Sequence, residues 1–253
     1  MYSTKQIIVT GCSFSTGMEM NDSSLMPFDT REQRDINILK WGKSNLELAG
    51  MNIFKMNEVA KAEWESRERL NSWPALLGKR NAIDVNNLSK IGASVGHSLL
   101  SFSMACSKDS IKDTIAIHQI PAMGRMEIRL NDSTRVSVQP TMMSENFGFN
   151  KYYYSDGIKR VKKIYKTRLQ KSNYVEQHFQ KIITRLHKIS IKNNIKSYYI
   201  VDKQDYLPDC VKENILIDNF DNFKGKYPIG PMGHPVGAKY NEDLCDICES
   251  ILY

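Results

Sequence analysis

Apolar residues along this chain fall into short β-branched runs that alternate with helical stripes and glycine-bearing turns. Gln6-Ile7-Ile8-Val9-Thr10 reads as a buried strand that stops at Gly11. Further strands are predicted over 81–88, over 114–120 (closed by Pro121), over 196–201 and, shorter, over 214–217. Between them lie helical signals. The stretch 72–78 opens on a serine cap, carries Pro74 in its first turn and ends on Gly78. Others are predicted over 98–107 and 240–252. The clearest runs over 173–191, where Val175, Phe179, Ile182, Ile183, Leu186 and Ile189 recur at helical spacing. Strand and helix in regular alternation predict a parallel, doubly wound sheet.

Two long stretches break this rhythm. From 18 to 70 the chain is polar with few strand signals, and helices are expected over 36–51 and 56–69. The region 131–150 is mixed and reads as an irregular lobe. The expectation is one domain over 1–253, with insertions at about 18–70 and 128–172. His118 lies mid-strand and reads as a core histidine, and His97 as helix-terminal. His178 and His187 are expected to face solvent, away from the apolar stripe.

Composition changes this picture little. With 253 residues, 41% hydrophobic and 25% charged, and a mean hydropathy of −0.44, the chain is of ordinary globular composition. No run approaches the roughly 18 apolar residues of a membrane helix, and the N-terminus lacks the apolar core of a secretory signal. Net charge is +7. Much of the excess sits between Lys151 and Lys171, interleaved with Tyr152, Tyr153, Tyr154 and Tyr165. That combination can track a phosphate backbone. A solvated helix face with snorkelling side chains accounts for it better. The five cysteines, an odd number, point to free thiols, and the Cys245–Cys248 pair has no second pair to complete a zinc site. Neither metal nor cofactor is expected.

The chemistry concentrates at turns after strands. Gly11-Cys12-Ser13 puts a serine where an α/β sheet binds ligands, outside the carboxyl end of its first strand. A serine nucleophile needs a base within hydrogen-bond reach and N–H donors for an oxyanion. Ser13, His234, and the backbone N–H groups of Ser13 and Gly92 supply those types.

At these residues the chain resembles the SGNH, or GDSL-like, hydrolase family. Gly11-Cys12-Ser13-Phe14-Ser15-Thr16-Gly17 is similar to the family's first block, G-D-S-x-x-x-G, with cysteine in place of aspartate. The form Gly-Cys-Ser-Phe is familiar from bacteriophage and bacterial members, as is the Trp73-Pro74 stretch with Leu76, Leu77 and Gly78. Asn87-Leu88-Ser89-Lys90-Ile91-Gly92-Ala93-Ser94 is similar to the second block, and Gly233-His234-Pro235 to the block carrying the catalytic histidine.

The resemblance implies a three-layer α/β/α sandwich with a mostly parallel, flavodoxin-like, five-stranded sheet. It implies Ser13 as nucleophile, His234 as base and Gly92 as oxyanion donor. It also implies a small acylated molecule or carbohydrate as substrate. The lack of an apolar span or signal, and the reading of the basic run as a solvated face, lead to the expectation of no membrane or nucleic-acid partner and a cytoplasmic or virion-associated location. Two positions depart from the family pattern. Where an orienting aspartate normally precedes the histidine by three residues, this chain has Pro231; the alternatives are Asp218 or Asp221 in the preceding loop, a backbone carbonyl holding the imidazole, or a Ser–His dyad. The G-x-N-D block is absent after 114–120, and Gln119 is the nearest amide. These departures open an alternative: a catalytically weakened module of the same fold, binding glycan or serving in a phage particle.

Overall fold

The computed structural model describes residues 6–12, 70, 72–90, 93–107, 113–121, 123, 125–129, 135–138, 163, 167, 173–202, 204–228, 235 and 238–253. Five strands form one parallel sheet. They are β1 (Gln6–Thr10), β2 (Asp84–Asn87), β3 (Thr114–Gln119) and, later in the chain, Lys196–Ile200 and Ile215–Ile217. Between β3 and those two lies an antiparallel hairpin of β4 (Met126–Arg129) and β5 (Arg135–Val138), so Lys196–Ile200 is β6 and Ile215–Ile217 is β7. The sheet order β2-β1-β3-β6-β7 is the flavodoxin-like order, and its connections reverse direction at the β1/β3 junction.

The central strands are buried on both faces, so neighbouring side chains enter different cores. Ile7 and Val9 join Ile115, Ile117, Tyr198 and Ile200 against α1 (Trp73–Asn81), a short α5 (Phe220–Lys224) and α6 (Ala238–Glu249). Ile8, Ala116 and Tyr199 face α2 (Val95–Cys106), α3 (Tyr174–Lys192) and α4 (Asp209–Lys212). The result is the expected three-layer α/β/α sandwich. Buried Phe179, Ile182, Ile183 and Leu186 make the α3 stripe.

Several boundaries differ from the expectation. α1 continues three residues past Gly78, and the chain turns at Ala82, whose φ of 52° is left-handed. Gly78 serves another purpose. A Cβ there would lie 2.7 Å from Val85 Cγ2 and 2.9 Å from the Ile83 carbonyl, so the missing side chain lets α1 press onto β2. α2 starts at Val95, three residues earlier than expected, because the Ser94 hydroxyl accepts the His97 N–H. The hairpin β4–β5 replaces part of the expected irregular lobe and lies beside α2. Most of the expected insertions, and all of the basic stretch except Lys163 and Thr167, lie outside the described residues. In that stretch the Thr167 hydroxyl donates to the Lys163 carbonyl one helical turn back. No helix among the described residues is long and apolar enough to cross a membrane.

Candidate active site

All five parallel strands point their carboxyl ends to one edge, and the connections reverse beside β1. After Thr10, Gly11 and Cys12 are buried. The β2–α2 loop is laced onto this turn: the Leu88 N–H donates to the Val9 carbonyl (2.8 Å) and the Lys90 N–H to the Gly11 carbonyl (3.2 Å). Within the loop, the Asn87 carboxamide accepts from the N–H (3.1 Å) and the hydroxyl of Ser89, folding the backbone back on itself. The Ala93 N–H closes onto the Lys90 carbonyl (3.0 Å), and Ser94 then caps α2. Ser13 and Gly92 themselves lie outside the described residues, as do Pro231 and His234.

The flanks of His234 are held firmly. The Tyr227 hydroxyl donates to Asp243 on α6 (2.7 Å), and Lys239 completes the network from Asp243's other oxygen (2.6 Å). Hydrogen bonds from Lys239 and then Tyr227 keep the Asp243 carboxyl below its ordinary range. Tyr227 also meets Tyr240 edge-on with ring centroids 5.4 Å apart. Both sides of the segment 229–237 are thereby tied together, and within it Pro235 is buried. Tyr240 in turn senses the thiol of Cys12, and burial first, then that neighbour, raise its phenol well above the usual range. The first turn of α6 therefore lies within electrostatic reach of the β1 turn.

The remaining candidates are spread along the same edge. Gln119 is buried at the end of β3, level with Gly11 by the pairing of Thr10 with His118. Asp218 is exposed just beyond β7, and Asp221, also exposed, is ion-paired with Lys224. β7 is three strands from β1, about 14 Å at ordinary strand spacing. Either carboxylate thus depends on the β7–α6 connection to bring a histidine back toward β1. His97 occupies the first turn of α2, on the same edge.

Sequence reasoning missed one polar pair. The Thr10 hydroxyl and His118 Nδ1 are hydrogen-bonded at 2.8 Å, and both residues are fully buried. The His118 ring sits edge-on to Phe102 (4.7 Å between centroids) and tilted against Tyr199 (5.4 Å). Burial, with His187 nearby, lowers its pKa to about 3, so the imidazole is neutral. His187 therefore turns toward the sheet with a buried Nδ1, contrary to the solvent-facing expectation. It stands four residues after Ile183, on the edge of the same helical stripe. The pairing follows from the register of β1 and β3, which sets Thr10 opposite His118.

The strand order defines the class: a doubly wound α/β protein whose topological switch point lies between β1 and β3, the place where such sheets bind ligands. The sequence matches no protein-family model and no curated protein. Among solved structures it is similar to one described as "The active site of a carbohydrate esterase displays divergent catalytic and non-catalytic binding functions". The two are 12% identical over 98% of this chain and 68% of the other, with a TM-score of 0.43. A likeness at that level carries no argument, and the fold assignment rests on the strand order and layers.

Proposed function

We propose that the chain is an SGNH-type serine hydrolase cleaving small O-acyl esters, such as acetyl groups on carbohydrate. Ser13 Oγ attacks the ester carbonyl while its proton passes to His234. The tetrahedral oxyanion is held by the backbone N–H groups of Ser13 and Gly92, with the Gln119 amide beside them. Collapse expels the alcohol, which takes the proton back from His234. Water, deprotonated by the same histidine, then attacks the acyl-serine and frees the acid and the hydroxyl. Asp218 and Asp221 are the candidates for orienting the imidazole.

The observation supporting this reading is the lacing of the β2–α2 loop onto the Gly11 turn, with the head of α6 within electrostatic reach of it. The described residues before Ser13 and on either side of Gly92, and the helix that follows His234, lie toward one edge, which supports this reading. Pro231 and the absent G-x-N-D block favour a second reading, a glycan-binding or phage structural module of the same fold with weakened catalysis. Hydrolysis of p-nitrophenyl acetate and of acetylated xylo-oligosaccharide separates the two. Turnover lost in both Ser13→Ala and His234→Ala supports the hydrolase. Oligosaccharide binding without turnover in any of the three proteins supports the module.

A further inference from the structure

We infer that the buried Thr10–His118 pair is a positioning device that fixes the end of β1 and so aims the serine three residues beyond Thr10. This rests on the hydrolase reading above. Thr10 is the last residue of β1 and pairs in register with His118 on β3. Their 2.8 Å hydrogen bond ties two side chains from the strands that flank the topological switch point. The imidazole is also wedged between Phe102 of α2 and Tyr199 of β6, which restricts its rotation. Only Gly11 and Cys12 separate this anchor from Ser13, and the Gly11 carbonyl is itself held by the Lys90 N–H.

The unused half of the ring points the same way. His118 Nε2 is buried and has no hydrogen-bond partner among the described residues. A buried polar atom left in that state is a cost to folding, which a Phe or Leu at this place avoids. Local rules are broken where a site requires it. Among the described residues, the ring's hydrogen bond goes to the strand that leads to the serine.

The test uses the full chain and the rate at which a fluorophosphonate modifies Ser13, read against probe concentration, with thermal unfolding measured alongside. Three variants divide the possibilities. Thr10→Val removes the hydroxyl while keeping the shape. His118→Gln places an amide near Nε2 and leaves Thr10 without its partner. His118→Asn keeps a polar atom near Nδ1. The expected result is a maximal rate about 10- to 100-fold lower for Thr10→Val and His118→Gln, at unchanged half-saturating probe. His118→Asn should stay within about threefold of wild type, since the anchor is retained. A folded Thr10→Val protein that reacts at the wild-type rate overturns the inference, even if both histidine variants fail to fold. Absence of any adduct on wild type instead overturns the hydrolase reading, and the positioning role with it.

Discussion

Acid should destabilise this protein through His118, by an amount the structure allows to be worked out. Unfolded, an imidazole takes up its proton near 6.5, whereas in the folded chain His118 does so only at about 3. Between those values the unfolded chain binds more protons, so stability falls as pH drops from about 6.5 toward 3. At pH 5 the unfolded histidine is mostly charged and the folded one is not, a loss of about 2 kcal/mol relative to pH 7. Over the whole window the loss approaches 5 kcal/mol, on the order of a third to all of a typical domain's stability. His118→Asn removes the titrating ring and keeps a polar contact for Thr10. Urea unfolding of both proteins, followed by far-UV ellipticity at pH 7 and pH 5, isolates the histidine, since all other groups titrate in common. The stability difference between wild type and variant should shift by about 2 kcal/mol in favour of the variant at the lower pH. Parallel behaviour of the two proteins would refute the claim that a neutral imidazole is trapped in the core.

Two backbone positions, four residues apart, should respond to opposite exchanges. Gly78→Ala forces a methyl against the Ile83 carbonyl and Val85, and should cost about 1–3 kcal/mol, seen as a lower unfolding temperature. Ala82→Gly relieves a left-handed φ of 52° and should raise the unfolding temperature, by up to about 1 kcal/mol of stability; a fall in temperature contradicts it. Phe102→Ala empties a fully buried site between α2 and His118, and should cost about 3–5 kcal/mol in denaturant titration. Thiol titration of the native protein should show exposed Cys210 reacting first. Cys245 and Cys248, buried and with thiols pushed upward by that burial, should react only on unfolding.

The strand–helix alternation was legible because central strands need two apolar faces and α3 carries its stripe at i, i+3 and i+4 spacing. The hairpin was not. Its strands read Met-Glu-Ile-Arg and Arg-Val-Ser-Val, charged or polar at alternate positions and too short to stand out from a polar lobe. Gly78 was read as a helix stop, since glycine commonly follows a last turn, but its reason is a contact with Val85 that no local pattern encodes. The edge where the candidate residues gather follows from parallel topology. The Thr10–His118 bond depends on register between strands more than a hundred residues apart, which spacing along the chain does not reveal. The Tyr227–Asp243 contact is nearer in sequence, but depends on how the β7–α6 connection folds against the helix.

Whether Ser13 is an activated nucleophile is decided by treating the purified protein with a fluorophosphonate and mapping the adduct by mass spectrometry. One adduct per chain is expected, on Ser13, lost in Ser13→Ala and strongly slowed in His234→Ala. A folded wild-type protein that takes up no probe, or takes it up equally in Ser13→Ala, contradicts it.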